Sequence, residues 1–230
     1  MRGKNNWQLR EPLLKKISNF VKKGGTAPWY WNYRYKWNNY PKSYNVGDFP
    51  TEVIIETTGN CNLKCTMCFR AYLPKTTRAM FAKMDFNLYK KIIDECKENE
   101  IAAIKLSWRG EVLLNKHFVE MVKYAKDAGI KEVSALSNAT LLTPEIGRDL
   151  LNAGLDQFVF SVDGTTKETY ERIRIGGNYE KVMGNIEGFL RLKGKNKKPF
   201  TRIQITEINE NKDEIQQFID YWRGKVDEVA

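Results

Sequence analysis

The sequence has little histidine: His117 is the only one in 230 residues. A closed structural zinc site wants four cysteine or histidine ligands, so a zinc module here would need nearly all of them to be thiols. Cysteine is scarce too, with four in the chain. Three of these, Cys61, Cys65 and Cys68, fall within eight residues. That crowding suits a metal or cluster better than a disulfide framework, and it agrees with a reducing compartment. No apolar run approaches the roughly 20 residues that span a bilayer. Residues 1–8 are polar, and Leu13 and Leu14 are followed at once by Lys15 and Lys16, so no signal-peptide core is seen. A cytoplasmic location is the expectation. Low-complexity tracts and short repeats beyond a βα unit are also missing.

Acidic side chains are nearly absent from the first part of the chain. Up to residue 47 there are ten basic residues against Glu11 alone, a net +9, which leaves +1 for the rest. A basic arm on a near-neutral body steers acidic partners without identifying them. Leu9, Leu13, Leu14, Ile17, Phe20 and Val21 recur at helical spacing with lysines between them. A membrane-surface helix fits this pattern, but a helix laid against the main domain fits it more plainly. From Trp29 to Trp37 aromatic residues alternate with Arg34 and Lys36. Such a stretch can stack on bases; the preferred reading is that it covers one face or end of the domain. The expected organisation is a basic, aromatic-rich N-terminal extension over residues 1–50 and a core domain over residues 51–230.

What is present is the composition of a globular chain, 42% apolar and 12% aromatic, and a regular alternation of strand and helix patterns. Strands are expected at residues 53–55, 102–106, 132–136, 157–162 and 202–206, with a sixth starting at 226. Between them run helical stripes. Tyr89, Ile92, Ile93 and Cys96 mark the first, and Phe118, Met121, Val122 and Ala125, closed by Gly129, the second. Thr143 and Pro144 open the third, which Gly154 ends. Val182, Ile186, Phe189 and Leu190 mark the fourth, and Ile215, Phe218, Ile219 and Trp222 the fifth. This βαβα order predicts an α/β fold, a parallel sheet with helices outside, either open or barrel-shaped. Chemistry then sits at the C-terminal ends of the strands.

Cys61-Asn62-Leu63-Lys64-Cys65-Thr66-Met67-Cys68 forms a C-x3-C-x2-C run directly after the first strand. Three thiolates on one tight loop can cap three corners of a cubane, leaving the fourth iron open to an exogenous molecule. A zinc site would need a fourth ligand, but Cys96 reads as core and His117 as a surface residue. A [4Fe–4S] cluster is therefore preferred. The alternative is a zinc-stabilised nucleic-acid-binding module, which accounts for the basic arm and the cysteines. It leaves unexplained the motifs that follow the second, third and fourth strands, so nucleic acid is not the expected partner.

The cysteine run resembles the signature of the radical S-adenosylmethionine (radical SAM) superfamily, C-x3-C-x-Φ-C, with Met67 in the usually aromatic Φ position and Phe69 just beyond. The resemblance runs from about residue 50 onward and implies a partial (β/α)6 radical SAM barrel. It implies a [4Fe–4S] cluster on Cys61, Cys65 and Cys68, with S-adenosyl-L-methionine on the open iron. An external one-electron reductant of flavodoxin or ferredoxin type would serve it. The product, a 5′-deoxyadenosyl radical, would take hydrogen from a peptide, protein or small-molecule substrate.

Further motifs follow. Residues 107–114 resemble the family's GGE element, with Arg109 in place of the first glycine and Val112 in place of the following proline. Gly110 and Glu111 would hold the cofactor's amino group. Ser137-Asn138-Ala139-Thr140-Leu141-Leu142 resembles T-N-G-T-L-L, with Asn138 shaping either the pocket floor or only the turn. Phe160-Ser161-Val162-Asp163-Gly164 and Glu168-Thr169-Tyr170-Glu171-Arg172-Ile173-Arg174 resemble S-x-D-G…ETY-x-x-x-R of the SPASM-associated subgroup, whose members often carry a cysteine-rich C-terminal region for auxiliary clusters. Ser161 would then meet the cofactor ribose, and Arg174, with Arg172 in reserve, its carboxylate. Asp163 is a turn-maker or a site residue. Gln204-Ile205-Thr206 falls where relatives approach the adenine, although a buried strand is the plainer reading. No auxiliary-cluster cysteines occur and the chain stops as a sixth strand begins, so a truncated chain, or a lineage without that region, is expected.

Overall fold

A computed structural model describes residues 13–74, 77 and 82–230. The β-branched and aromatic runs form strands β1 (Glu52–Ile54), β2 (Lys64–Cys65), β3 (Ala103–Lys105), β4 (Glu132–Ser137), β5 (Gln157–Ser161), β6 (Arg174–Ile175), β7 (Phe200–Gln204) and β8 (Glu228–Val229). Six of these make one sheet in the order β1-β3-β4-β5-β7-β8, every neighbouring pair parallel. Sequential order with all-parallel pairing requires a crossover after each strand, and helices supply them. This is the open, partial barrel expected. β8 is the sixth strand, in register with β7 through Arg202 opposite Glu228.

The helices are α1 (Leu13–Lys22), α2 (Pro28–Asn39), α3 (Phe86–Glu98), α4 (Phe118–Asp127), α5 (Pro144–Asn152), α6 (Lys167–Ile173), α7 (Tyr179–Lys193) and α8 (Ile215–Trp222). Side-chain caps start four of them: Asp85, Thr143, Thr166 and Asn178 accept N–H groups from α3, α5, α6 and α7, each contributing about 1 kcal/mol. Gly129 and Gly154 have positive φ just past α4 and α5, as left-handed helix ends require. The predicted apolar stripes face the sheet. Phe158 and Phe160 of β5 meet Phe189 of α7 with ring centroids 5.3 and 5.7 Å apart, in the heart of a core that also takes in Tyr89, Met121, Ile186 and Trp222.

At the N-terminal ends of the strands lies a set of acids: Glu52, Glu132, Asp156, Asp227 and Glu228. The basic N-terminal segment answers part of it. Asp227 takes Lys22 of α1 and, at 3.1 Å, Lys193 of α7. Lys23 pairs with Glu228 at 2.7 Å and sits 4.2 Å over the Phe200 ring, while Asn19 donates to the Asp227 carbonyl at 3.1 Å. Tyr30 and Tyr33 of α2 are buried against Ala103 at the start of β3. The aromatic stretch thus covers one end of the domain, as expected, and it does so as a helix. Leu9 of the predicted N-terminal stripe lies outside the described residues. Among the described residues no helix is long and apolar enough to cross a membrane.

Candidate functional site

The cysteine loop leaves the C-terminal end of β1 and is held from three sides. Its middle forms β2, which pairs antiparallel with β6, placing Cys65 opposite Arg174. The Thr66 N–H donates to the Ile173 carbonyl at 2.9 Å. On a second side Asn138, just past β4, donates to Asn62 Oδ1 at 3.1 Å, and Asn62 donates to Thr140 Oγ1 at 2.7 Å. On the third side the Glu111 N–H donates to the Asn60 carbonyl at 2.7 Å. That approach is possible because residue 110 is glycine. Its φ is +74°, and a Cβ there would stand 2.4 Å from the Thr58 carbonyl oxygen and 2.5 Å from that of Asn60.

Glu111 is buried beneath this loop. Its carboxylate accepts from Ser137 Oγ at 2.6 Å, the Asn138 N–H at 2.7 Å and the Leu113 N–H at 3.2 Å. Burial pushes its pKa up, against these donors and the nearby Arg174. Arg109, the departure from the family's glycine, has a partner: its Nε and one Nη grip Glu56 at 2.6 and 3.0 Å, tying the end of β3 to the end of β1.

Arg174 is also buried and paired. Its Nε and one Nη lie 2.8 and 2.6 Å from Asp163 Oδ2, and the other Asp163 oxygen accepts the Thr206 N–H at 2.7 Å. Asp163 therefore does more than make a turn, since it orients the arginine and fastens the strand after β7. Burial opposes the charge on Arg174, but Asp163 prevails and holds its pKa above the ordinary value. Ser161 accepts from Gln204 Nε2 at 3.2 Å.

A cavity of about 200 Å³ opens among these groups. All three loop cysteines line it, together with Gly110, Glu111, Asn138, Ser161 and Arg174, and Met67, Asp163 and Thr206 are also part of its wall. The site residues expected from the sequence thus share one cavity at the C-terminal ends of the strands. Arg172 is not among them; it donates to the Glu210 carbonyl at 3.1 Å on the outside.

The donor set fits a cluster. All four cysteines are free and the three on the loop are half-buried. Burial pushes Cys61 up and Cys65 up to about 11, Arg174 countering it at Cys65. Burial thus favours the protonated form at Cys61 and Cys65, and an incoming metal must displace those protons. Thr66, beside Cys65, has a buried hydroxyl with no partner among the described residues. Among those residues no three His, Cys, Asp or Glu side chains converge as a single ion needs, whereas a cubane takes each thiolate on a different iron. Cys96 is buried in the core, and His117 stacks on Phe86 at 5.3 Å and pairs with Glu120. Neither lines the cavity, so neither supplies a fourth zinc ligand there.

The model of the Radical SAM superfamily matches residues 55–221. The chain belongs to the radical SAM superfamily. Its members use a [4Fe–4S] cluster and S-adenosylmethionine. Curated relatives include an AdoMet-dependent heme synthase of Methanosarcina barkeri, 34% identical over 60% of this chain and 38% of that one, and a probable GTP 3′,8-cyclase of Methanococcus maripaludis, 32% identical over 58% and 43%. This radical SAM chain thus matches well under half the length of either relative. Solved structures share the fold. Streptococcus suis SuiB bound to precursor peptide SuiA superposes with a TM-score of 0.66 over 87% of this chain and 43% of that one, at 18% identity. Native anSMEcpe with bound AdoMet gives 0.61 over 76% and 49%, at 19% identity.

Sequence reasoning missed the structural use of several residues. Asn62, given no role of its own inside the cysteine run, links the loop to Asn138 and Thr140. The β2–β6 ladder is two residues long, too short for any periodicity to show. The one available signal was Arg109: a charged residue replacing a family glycine asks for a partner, and Glu56 is the acid at the end of the preceding strand.

Proposed function

We propose that this chain is a radical SAM enzyme whose [4Fe–4S] cluster is held by Cys61, Cys65 and Cys68. The observation that carries the reading is the shared cavity, in which three thiols from one loop meet the ends of β3, β4, β5 and β6. When bound, cluster and S-adenosylmethionine supply one-electron cleavage of the sulfonium to a 5′-deoxyadenosyl radical that removes a hydrogen atom from substrate. The chain's own residues bind, orient and exclude water. Glu111 fixes the β3 and β4 loops against each other, so the backbone at Gly110 meets the cofactor's amino group in a fixed place. Ser161 lies on the ribose side. Arg174, oriented by Asp163, offers a buried cation to the cofactor carboxylate. Asn138 holds the cysteine loop at the cavity floor. Burial of the thiols keeps water from the site.

The substrate is a peptide, protein or small molecule, and the electron comes from a flavodoxin- or ferredoxin-type donor. The S-x-D-G…ETY-x-x-x-R run supports the SPASM-associated subgroup, and the peptide-bound SuiB structure supports a peptide. Residues 51–230 act as the catalytic core, with residues 1–50 as its N-terminal extension. Replacing Cys65 by alanine tests the reading. After anaerobic reconstitution the variant is expected to lose the cluster absorbance and all 5′-deoxyadenosine production. Parent-like values for both would overturn it.

A further inference from the structure

The β2–β6 ladder has two faces. Side chains alternate along a strand, so Cys65 and Arg174 turn into the cavity while Lys64 and Ile175 turn away from it. Lys64 is exposed, with no ion pair among the described residues. Ile175, its partner across the ladder, is 48% exposed. A short turn, Phe69–Tyr72, follows the third cysteine directly. Phe69 is 54% exposed and Tyr72 74%, and the Tyr72 hydroxyl donates to the Thr66 carbonyl at 2.5 Å. The Thr66 N–H is held by Ile173, so this one residue, next to Cys65, ties the turn to the ladder. Two of the three thiols thus lie one residue from an exposed side chain: Cys65 from Lys64, and Cys68 from Phe69. The surrounding sequence is basic. From Thr57 to Met84 it carries Lys64, Arg70, Lys75, Arg78 and Lys83 and no acidic residue. That is a local +5, whereas the remainder of residues 48–230 sums to −4.

We propose that the outer face of the β2–β6 ladder, with Phe69 and Tyr72 beside it, is the docking surface for the electron donor, a small acidic one-electron carrier protein. The proposal rests on the cluster reading above and adds the side from which the electron arrives. The cavity face of the loop is where the cofactor binds, which leaves the outer face as the direct approach for a protein. Electron transfer falls off steeply with distance, and here a single layer of backbone separates the ligands from solvent. Exposed apolar side chains beside positive charge suit a small, short-lived redox encounter. The charge speeds that encounter more than it prolongs it. One electron passes from the reduced carrier to the oxidised cluster, with no bond made and no proton moved.

The test uses the full chain, reconstituted anaerobically, and a reduced acidic flavodoxin as the probe. Lys64→Glu and Ile175→Glu each put a negative charge on the face, one from either strand. Lys131→Glu, an exposed site just before β4 at the other end of the sheet, controls for net charge. Iron, sulfide and cluster absorbance are read first. The reduced-cluster signal is then timed by rapid freezing and electron paramagnetic resonance, with flavodoxin and, separately, with dithionite at high salt. Both face variants are expected to load like the parent and to accept electrons from flavodoxin about tenfold more slowly. The control keeps the parent rate, and all four proteins keep it with dithionite. In the parent the flavodoxin rate falls as salt rises. Carbodiimide, which couples an amine to a carboxylate in contact, should join flavodoxin to Lys64 and not to Lys131. Face variants that load and take electrons from flavodoxin at the parent rate overturn the proposal. So does a parent that flavodoxin reduces at a rate indifferent to salt, or that dithionite reduces and flavodoxin does not, results that need no variant. Failure of the parent to take up iron and sulfide overturns the cluster reading instead.

Discussion

Gly110 shows how narrowly the site is drawn at single positions. A methyl group there would meet two carbonyl oxygens of the preceding loop, and the residue is already in the left-handed region that alanine enters at a cost of about 1–2 kcal/mol. Gly110→Ala is therefore expected to lower stability by at least that amount and to weaken cluster retention, read by urea denaturation and by iron content after gel filtration. The cysteines showed their chemistry in the sequence because their spacing is local. Glu111 showed its place but not its bonds, since its partners Ser137 and Asn138 belong to the next strand. Asp163 was readable as a turn-maker or a site residue but not by its partner, because the arginine it orients comes eleven residues later, after a short helix.

The six strands of the main sheet and the five helices α3, α4, α5, α7 and α8 were readable from periodicity, because each buries one face in the core. α2 was not, because its tyrosines and tryptophans point to all sides; it is a helix by virtue of what it covers. Packing at this scale is dense, and Phe189→Ala, which removes the α7 ring from between Phe158 and Phe160, should cost about 3–5 kcal/mol in chemical denaturation. The α1 attachment is electrostatic and can be tested by pH. Burial tends to raise the Asp227 pKa, yet bonds from Lys22, Thr201 and Lys193 prevail and hold it below the ordinary value. A depressed folded-state pKa adds stability above the unfolded value of about 4, which is lost as pH falls through the folded one. Asp227→Asn should cost about 3–5 kcal/mol at neutral pH, because it leaves Lys193 buried without its counter-charge. It should also flatten the fall in stability below pH ~4 that the parent shows. An unchanged acid limb would disprove this assignment.

For the molecule as a whole, the partial barrel gathers its site from loops at one end of the sheet and closes the other end with its N-terminal helices. A ligand that reaches those loops should stabilise everything below them. With cluster loaded, S-adenosylmethionine at a hundredfold excess over its Kd should add about 2.7 kcal/mol, seen as a rise of several degrees in Tm. No shift in the loaded protein, with cluster intact, would count against the cavity as the cofactor site.

The bolts between α1 and β8 join residues 205 to 208 positions apart in the chain. During synthesis the lysines of α1 leave the ribosome long before Asp227 and Glu228 exist. Through that interval the helix has no anchor, and the base of the nascent barrel stays open to solvent. Long-range closure of this kind is slow, so native tryptophan fluorescence from α2 should be among the last signals to recover in a refolding experiment.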